Sequence, residues 1–410
     1  MTGEQSGRTG RRLRGVLGVL GVVALVGVVA RSPTTVPDPT PPTPTAATAV
    51  PDAIAGTTDV DRAEGTWTTA TGRVPARLRQ GPTHAVWTGR ELVVGFTPDT
   101  AAYAADRTPG PLWRRLPPHT GGALEVRGAT QVRGAEVFAY GARTCRDCPW
   151  EPVLHALDPN EAAWQRLPDA PGGASGGHEA VVSVANELVV VRDTDDGGLA
   201  ALAYDPRRDE WRDLDMPPVR PLGWRAIGAG DQLVLVGTIA QPGGGTGPGA
   251  LVLDLPSGAW RNAGRGMPLR GPELAAAVWT GDAVVFFGSP TSRGAPRGAV
   301  LSLTDDTWTA LPAPSYDLLA EDDAAVGDLD GELMGLAGVW DGDRALFVGG
   351  LTTPVFLAWS PDEQRWQVRP PPTARAGATA VWTGQQVLLW GGVTRDGRIA
   401  DLQVYTPDGG

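Results

Sequence analysis

Seven tryptophans at near-equal spacing, a recurring inner-hairpin phrase and a recurring Pro and acidic turn predict an all-β protein, a seven-bladed β-propeller of four-stranded blades. The tryptophans are Trp67, Trp113, Trp164, Trp211, Trp260, Trp308 and Trp366, separated by 46, 51, 47, 49, 48 and 58 residues. A repeat near fifty residues is one blade long, a unit too small to bury its own apolar face and stable only when stacked on neighbours.

Each repeat opens with an inner hairpin. AVWTG stands at 85–89, 277–281 and 380–384, followed by the runs ELVVGF, AVVFFG and QVLLWGG. Such continuous apolar runs suit strands buried on both faces. A third strand then ends in a Pro and acidic turn, as in ALDPNEAAWQRLPDAP (156–171), AYDPRRDEWRDLDMPP (203–218) and AWSPDEQRWQVRPPP (358–372). The turn fixes a short loop, the outer strand carries the tryptophan, and Pro ends pairing before the next blade. The indoles are predicted to pack between blades, where truncation of one to Ala costs about 3–5 kcal/mol.

These features resemble the kelch family, whose repeat joins a small-residue inner strand, a second strand ending in Gly-Gly, a Tyr-Asp-Pro-like turn and a Trp. The likeness covers about residues 63–410 and is sharpest in the last repeat, where Arg375, Gly377, Trp382, Gly391, Gly392 and Tyr405 stand in kelch order. Intact Gly-Gly recurs only at Gly349-Gly350; single glycines (Gly95, Gly141, Gly237, Gly288) serve elsewhere. The resemblance implies a kelch-like propeller that binds a partner, or one that acts on sugars as galactose oxidase does. The copper site of that enzyme is not carried over, because Cys145 and Cys148 share one loop and the five tyrosines are scattered. No metal or cofactor is expected.

The last repeat stops at Gly410, where another Trp-bearing strand would begin. The segment TWTTATGRVPA (66–76) carries Trp67 and precedes the first AVWTG by the usual distance, so it is predicted to complete blade seven and close the ring. Closure leaves only short protected edges.

The first residues follow other rules. Arg8, Arg11, Arg12 and Arg14 precede an apolar stretch from Gly15 to Ala30. Residues 1–30 are therefore read as a signal peptide or a membrane anchor, with membrane contact only through 15–30 if uncleaved. The flanking arginines place the amino terminus in the cytoplasm and the propeller outside, secreted or anchored. Residues 31–62, with PTTVPDPTPPTPTAAT, are a semi-extended linker, and the propeller occupies 63–410. Removing residues 1–30, which hold four Arg and one Glu, takes the net charge from −11 to −14. A chain this acidic repels polyanions, which argues against nucleic acid as a partner.

In an oxidising compartment Cys145 and Cys148, in GARTCRDCPW, are expected to form a small structural disulfide; no helix is at hand to activate a thiol and no His pair to complete a zinc site. The acidic insertion at 319–339 (Glu321, Asp322, Asp323, Asp328, Asp330, Glu332) lacks the full spacing of a calcium loop and reads as a solvated loop. The sequence has no P-loop, no G-x-S-x-G elbow and no repeated Asp-box, so the expected function is non-enzymatic binding of a protein or glycan partner at the cell envelope. The alternative is a carbohydrate-active enzyme, mutarotase-like or sugar oxidase-like. Binding is placed on the face carrying the loops after each second strand and the segments entering each inner strand, since function concentrates on varied loops of a rigid scaffold. The candidate residues are His84, His178, Trp224, Arg225 and Arg375 from the entering segments, with Arg143, Trp150 and Arg395 from the loops. Trp and Arg are the side chains most often found as interface anchors.

Overall fold

In the computed structural model of the protein, residues 61–407 are described apart from 63–64, 71–77, 79–83, 97–99, 105–112, 118–123, 144–150, 174–176, 218, 241–244, 264–265, 270–274, 289–296, 313, 315–334 and 352–353. Residues 1–30, most of 31–62, Cys145, Cys148, Trp150 and the acidic stretch at 321–332 therefore lie outside the described residues.

The recurring phrases resolve into seven four-stranded antiparallel sheets: blades 1 (85–116), 2 (124–166), 3 (179–214), 4 (222–262), 5 (276–311), 6 (337–368) and 7 (379–407). Each inner strand touches the next, and that of blade 7 touches that of blade 1, so the ring is closed. The protein is a seven-bladed β-propeller. Blade 7 takes its fourth strand, Gly65–Thr69, from the other end of the chain, with Trp67 opposite Tyr405, as the spacing of the tryptophans predicts. The closure reaches further than expected. Asp61–Arg62 adds a fifth strand to blade 6, parallel to Arg365–Val368, so the amino-terminal segment fastens two blades.

Seven apolar clusters form the core, one at each seam between adjacent blades. The second strands are buried on both sides because a blade stands against each face, which accounts for runs such as VLLW (387–390) and ALFVG (345–349). Every outer-strand tryptophan packs on the seam shared with the preceding blade. Six of them also donate the indole N–H to a carbonyl just beyond that blade's outer strand: Trp164 to Pro117 (3.0 Å), Trp211 to Pro168 (2.8 Å), Trp260 to Asp215 (2.6 Å), Trp308 to Ala263 (2.5 Å), Trp366 to Pro312 (2.7 Å) and Trp67 to Pro370 (2.7 Å). Trp113 Nε1 is buried without a partner among the described residues; the corresponding acceptor position, 71, lies outside them.

In blades 2 to 6 the turn before the tryptophan is a four-residue loop, as in Asp158↔Ala163 and Asp205↔Glu210. Where an aspartate opens it, its carboxylate accepts from backbone N–H groups inside the loop, as Asp158 does from Asn160. The residue two before the tryptophan is left-handed in all five: Ala162, Asp209, Gly258, Asp306 and Gln364, with φ between 52° and 71°. These turns and the inner-hairpin turns lie together at one end of the ring, the turn face. The connections between blades and the loops after second strands lie at the other, the loop face.

On the turn face of blades 1 and 4 an arginine one past the tryptophan ties its blade to the next. Arg114 pairs with Glu91 of its own blade (2.6 Å) and donates to Pro159 O of blade 2 (2.8 Å). Arg261 repeats the arrangement, bonding Gln232 (3.0 Å) in its own blade, then Leu303 O (2.9 Å) and Asp306 (2.8 Å) in blade 5.

Two connections after second strands are short. GFTPDTAAYAADR holds the third strand of blade 1, Thr100–Ala104, and in blade 4 the second and third strands run on to Ala240 and from Thr246. Residues 393–398 form a small hairpin of their own.

Candidate functional site

The loop face of blades 2 to 4 gathers a set of polar and aromatic side chains, and two irregularities of the inner strands help put them there. The register of blade 2 shifts between Val126 and Gly128, and that of blade 4 between Leu222 and Arg225, where Gly223 is left-handed (φ 54°). A bulge swings its side chain out of the pleat. Arg127 and Trp224 stand at these two bulges, on either side of blade 3.

Blade 3 supplies what they meet. Glu179, paired in register with Arg192, has an almost fully buried side chain and lies 3.7 Å from Arg127 Nε; Arg127 is also 3.5 Å from Glu125. Arg192 is buried, donates to Pro171 O (2.8 Å) and meets Tyr140 OH of blade 2 at 3.5 Å. Burial pushes the Tyr140 phenol up to about 12, helped by the Glu179 charge and opposed by Arg192 and Arg127.

On the other flank Asp193 is the hub. Its carboxylate accepts from Trp224 Nε1 (3.1 Å), Arg220 (3.3 Å) and the backbone N–H of His178 (3.2 Å). The His178 ring is exposed and stands edgewise over Trp224, centroids 4.5 Å apart. The result is a solvent-facing imidazole on a buried indole, beside an arginine that is 40 % exposed. This surface offers hydrogen-bond donors, an aromatic edge and a cation, with Glu179 ion-paired to Arg127 of blade 2 and Asp193 hydrogen-bonded by Trp224 and Arg220 from the blade 4 side.

The structure distributes the sequence candidates unevenly. His178 and Trp224 come together as described. Arg225, next to Trp224, turns to the following seam and donates to Ala275 O (2.5 Å). His84 is partly buried against the backbone at Val126, and burial lowers its pKa, opposed by that contact. Arg143 faces Glu151 across a hairpin at 3.8 Å, and Arg395 is exposed at the tip of the small hairpin of blade 7. Arg375 is fully buried, bonded twice to Asp401 (2.6 and 3.2 Å) and to the carbonyls of Gly391 and Thr373 (each 3.2 Å). Its guanidinium is consumed inside blade 7, which gives it a structural place rather than one on the rim.

Arg127, Glu179, Arg192, Asp193 and Arg220 are the site residues that the sequence reading did not reach. Among the described residues no three His, Cys, Asp or Glu side chains converge as a metal-binding set. No protein-family model matches the chain, and no curated protein matches it by sequence.

Proposed function

We propose that this chain is an exported propeller of the kelch type that binds a protein or glycan partner at the cell envelope, without catalysis, through the loop face of blades 2 to 4. The observation that carries the reading is the pair of inner-strand bulges. They aim Arg127 and Trp224 at one blade, where the buried Trp224 indole backs the exposed His178 ring beside Arg220, a rigid surface of imidazole and arginine. Two glycine pairs at second-strand ends, Gly349-Gly350 and Gly391-Gly392, all at positive φ, support the kelch likeness. The arginine-flanked apolar stretch before the Pro and Thr tract supports export.

The test uses the purified full chain in a glycan array and in capture of surface proteins. His178→Ala and Arg220→Ala, both on exposed side chains, are expected to lower capture of the same ligand about five- to thirtyfold at unchanged melting temperature. Capture that survives both changes, or that is lost instead on changing Arg395, refutes this placement.

A further inference from the structure

The turn face carries a second opening. Between blades 3 and 4 lies a cleft of about 640 Å³, lined by Glu187, Asp205, Glu210, Arg212 and the turn Leu255–Gly258. The volume falls within the roughly 300–1,000 Å³ typical of ligand sites. The tie seen in two other seams is absent here. Arg114 and Arg261 each span a seam by bonding a side chain of their own blade and a turn carbonyl of the next. Arg212 stands at the equivalent place, one past Trp211, yet bonds only Glu187 of its own blade (2.8 Å) among the described residues.

The acceptor that corresponds to Pro159 O and Leu303 O, each five residues before a tryptophan, is Leu255 O on the cleft wall, and Arg212 does not reach it. Where blade 5 offers Asp306 to the spanning arginine, blade 4 has Gly258. Asp205 and Glu210 face each other in register and point to the side of their sheet away from Trp211, adding two carboxylates to the lining.

We propose that this cleft takes an arginine side chain from a partner polypeptide. The chain itself shows the fit: in two sibling seams a guanidinium occupies the corresponding place, held by a turn carbonyl and by polar side chains at 2.6–3.0 Å. A planar guanidinium can donate to a carbonyl and a carboxylate together, which suits this lining. The carboxylates Glu187, Asp205 and Glu210 outnumber Arg208 and Arg212, and the net charge of −11 draws a basic partner towards the surface. The cleft lies at the opposite end of the ring from the proposed loop-face surface, and neither reading depends on the other.

The test is fluorescence anisotropy of a fluorescein-labelled GRGRG peptide, with GQGQG as control, added to the full chain at low salt. Saturable binding of the arginine peptide alone is expected, weakened about fivefold or more by the pair Asp205→Asn and Glu210→Gln. Glu210→Gln alone, at an exposed position, is expected to weaken it in the same direction. The matched pair Asp362→Asn and Glu363→Gln, in the equivalent turn of blade 6, removes the same charge and is expected to leave binding unchanged. Equal loss with both pairs, or no preference for GRGRG over GQGQG, overturns the proposal.

Discussion

Replacing Trp67 by Ala tests whether the seam made by the two ends of the chain is held as the other six are. The Trp67 ring lies 5.6 Å from Phe356 and 5.3 Å from Tyr405, and its Nε1 donates to Pro370 O at 2.7 Å, so one side chain touches blades 6 and 7 at once. Truncating a buried Trp costs about 3–5 kcal/mol. Trp67 is half-buried, with solvent on its outer side, so the packing loss falls near the low end, about 2–3 kcal/mol. The lost hydrogen bond adds about 1 kcal/mol. At roughly 1–3 °C per kcal/mol for a domain of this size, the melting temperature should fall by about 5–10 °C. Trp67→Phe keeps the aromatic contacts and removes only the N–H, so it should lose about a third as much. The measurement is thermal unfolding followed by far-ultraviolet circular dichroism and by intrinsic fluorescence. A Trp67→Ala melt within 1 °C of the parent, or a Phe variant as damaged as the Ala variant, would refute the reasoning.

Other expectations follow from the same geometry. A chain beginning at Leu78 lacks both amino-terminal strands and should unfold at lower temperature and less cooperatively than one beginning at Asp61; equal melts would show that the strands are dispensable. Arg375→Met leaves Asp401 without its bidentate partner and should cost about 3 kcal/mol, whereas Arg395→Ala at an exposed tip should cost less than about 0.5 kcal/mol, as read by denaturant midpoints. The folded Tyr140 phenol ionises only near 12 while the unfolded one ionises near 10. The stability this supplies is present below pH 10 and is lost as pH rises to 12, a fall of roughly 2–3 kcal/mol that Tyr140→Phe should abolish. His84 is shifted the other way: its folded pKa lies below the ordinary 6.5 because of burial, so its contribution is present above pH 6.5 and fades on acidification. His84→Gln should flatten stability between pH 7 and 5; a slope unchanged by the substitution would contradict the burial argument.

Most of the fold was legible because it repeats. A period carried by seven tryptophans outweighs errors in any one repeat, and the closing strand followed from a register of about fifty residues rather than from local preference. Asp61–Arg62 was hidden because two residues carry no alternation. Thr100–Ala104 is hard to read as a strand because TAAYA is small and weakly strand-forming, and only its place between Glu91–Val94 and Trp113–Leu116 makes it one. The loop-face site was legible in part, through His178 and Trp224. Its remaining members converge because two inner strands slip in register, and a slip is a property of pairing between strands. Gly128 and Gly223 were the available signals, since glycine in a strand often marks a bulge. The burial of Arg375 was hidden for a related reason: its partner Asp401 lies 26 residues on, so nothing beside it in the sequence announced that its charge was already neutralised.

The closing strand also sets an order on the birth of the molecule. Thr66 pairs with Thr406 and Trp67 bonds Pro370, a separation of 303 residues in the latter case, so this strand must wait until the last repeat has been made. Contacts of such long range form slowly, and meanwhile the strand is an open edge that another chain could capture. Its composition suits the wait. Of GTWTT only Trp67 is large and apolar, while Thr66, Thr68 and Thr69 stay exposed even in the finished ring. A nascent strand this polar has little to offer a neighbour on its own, and it becomes adhesive only when blades 6 and 7 together present the aromatic slot that fits one indole.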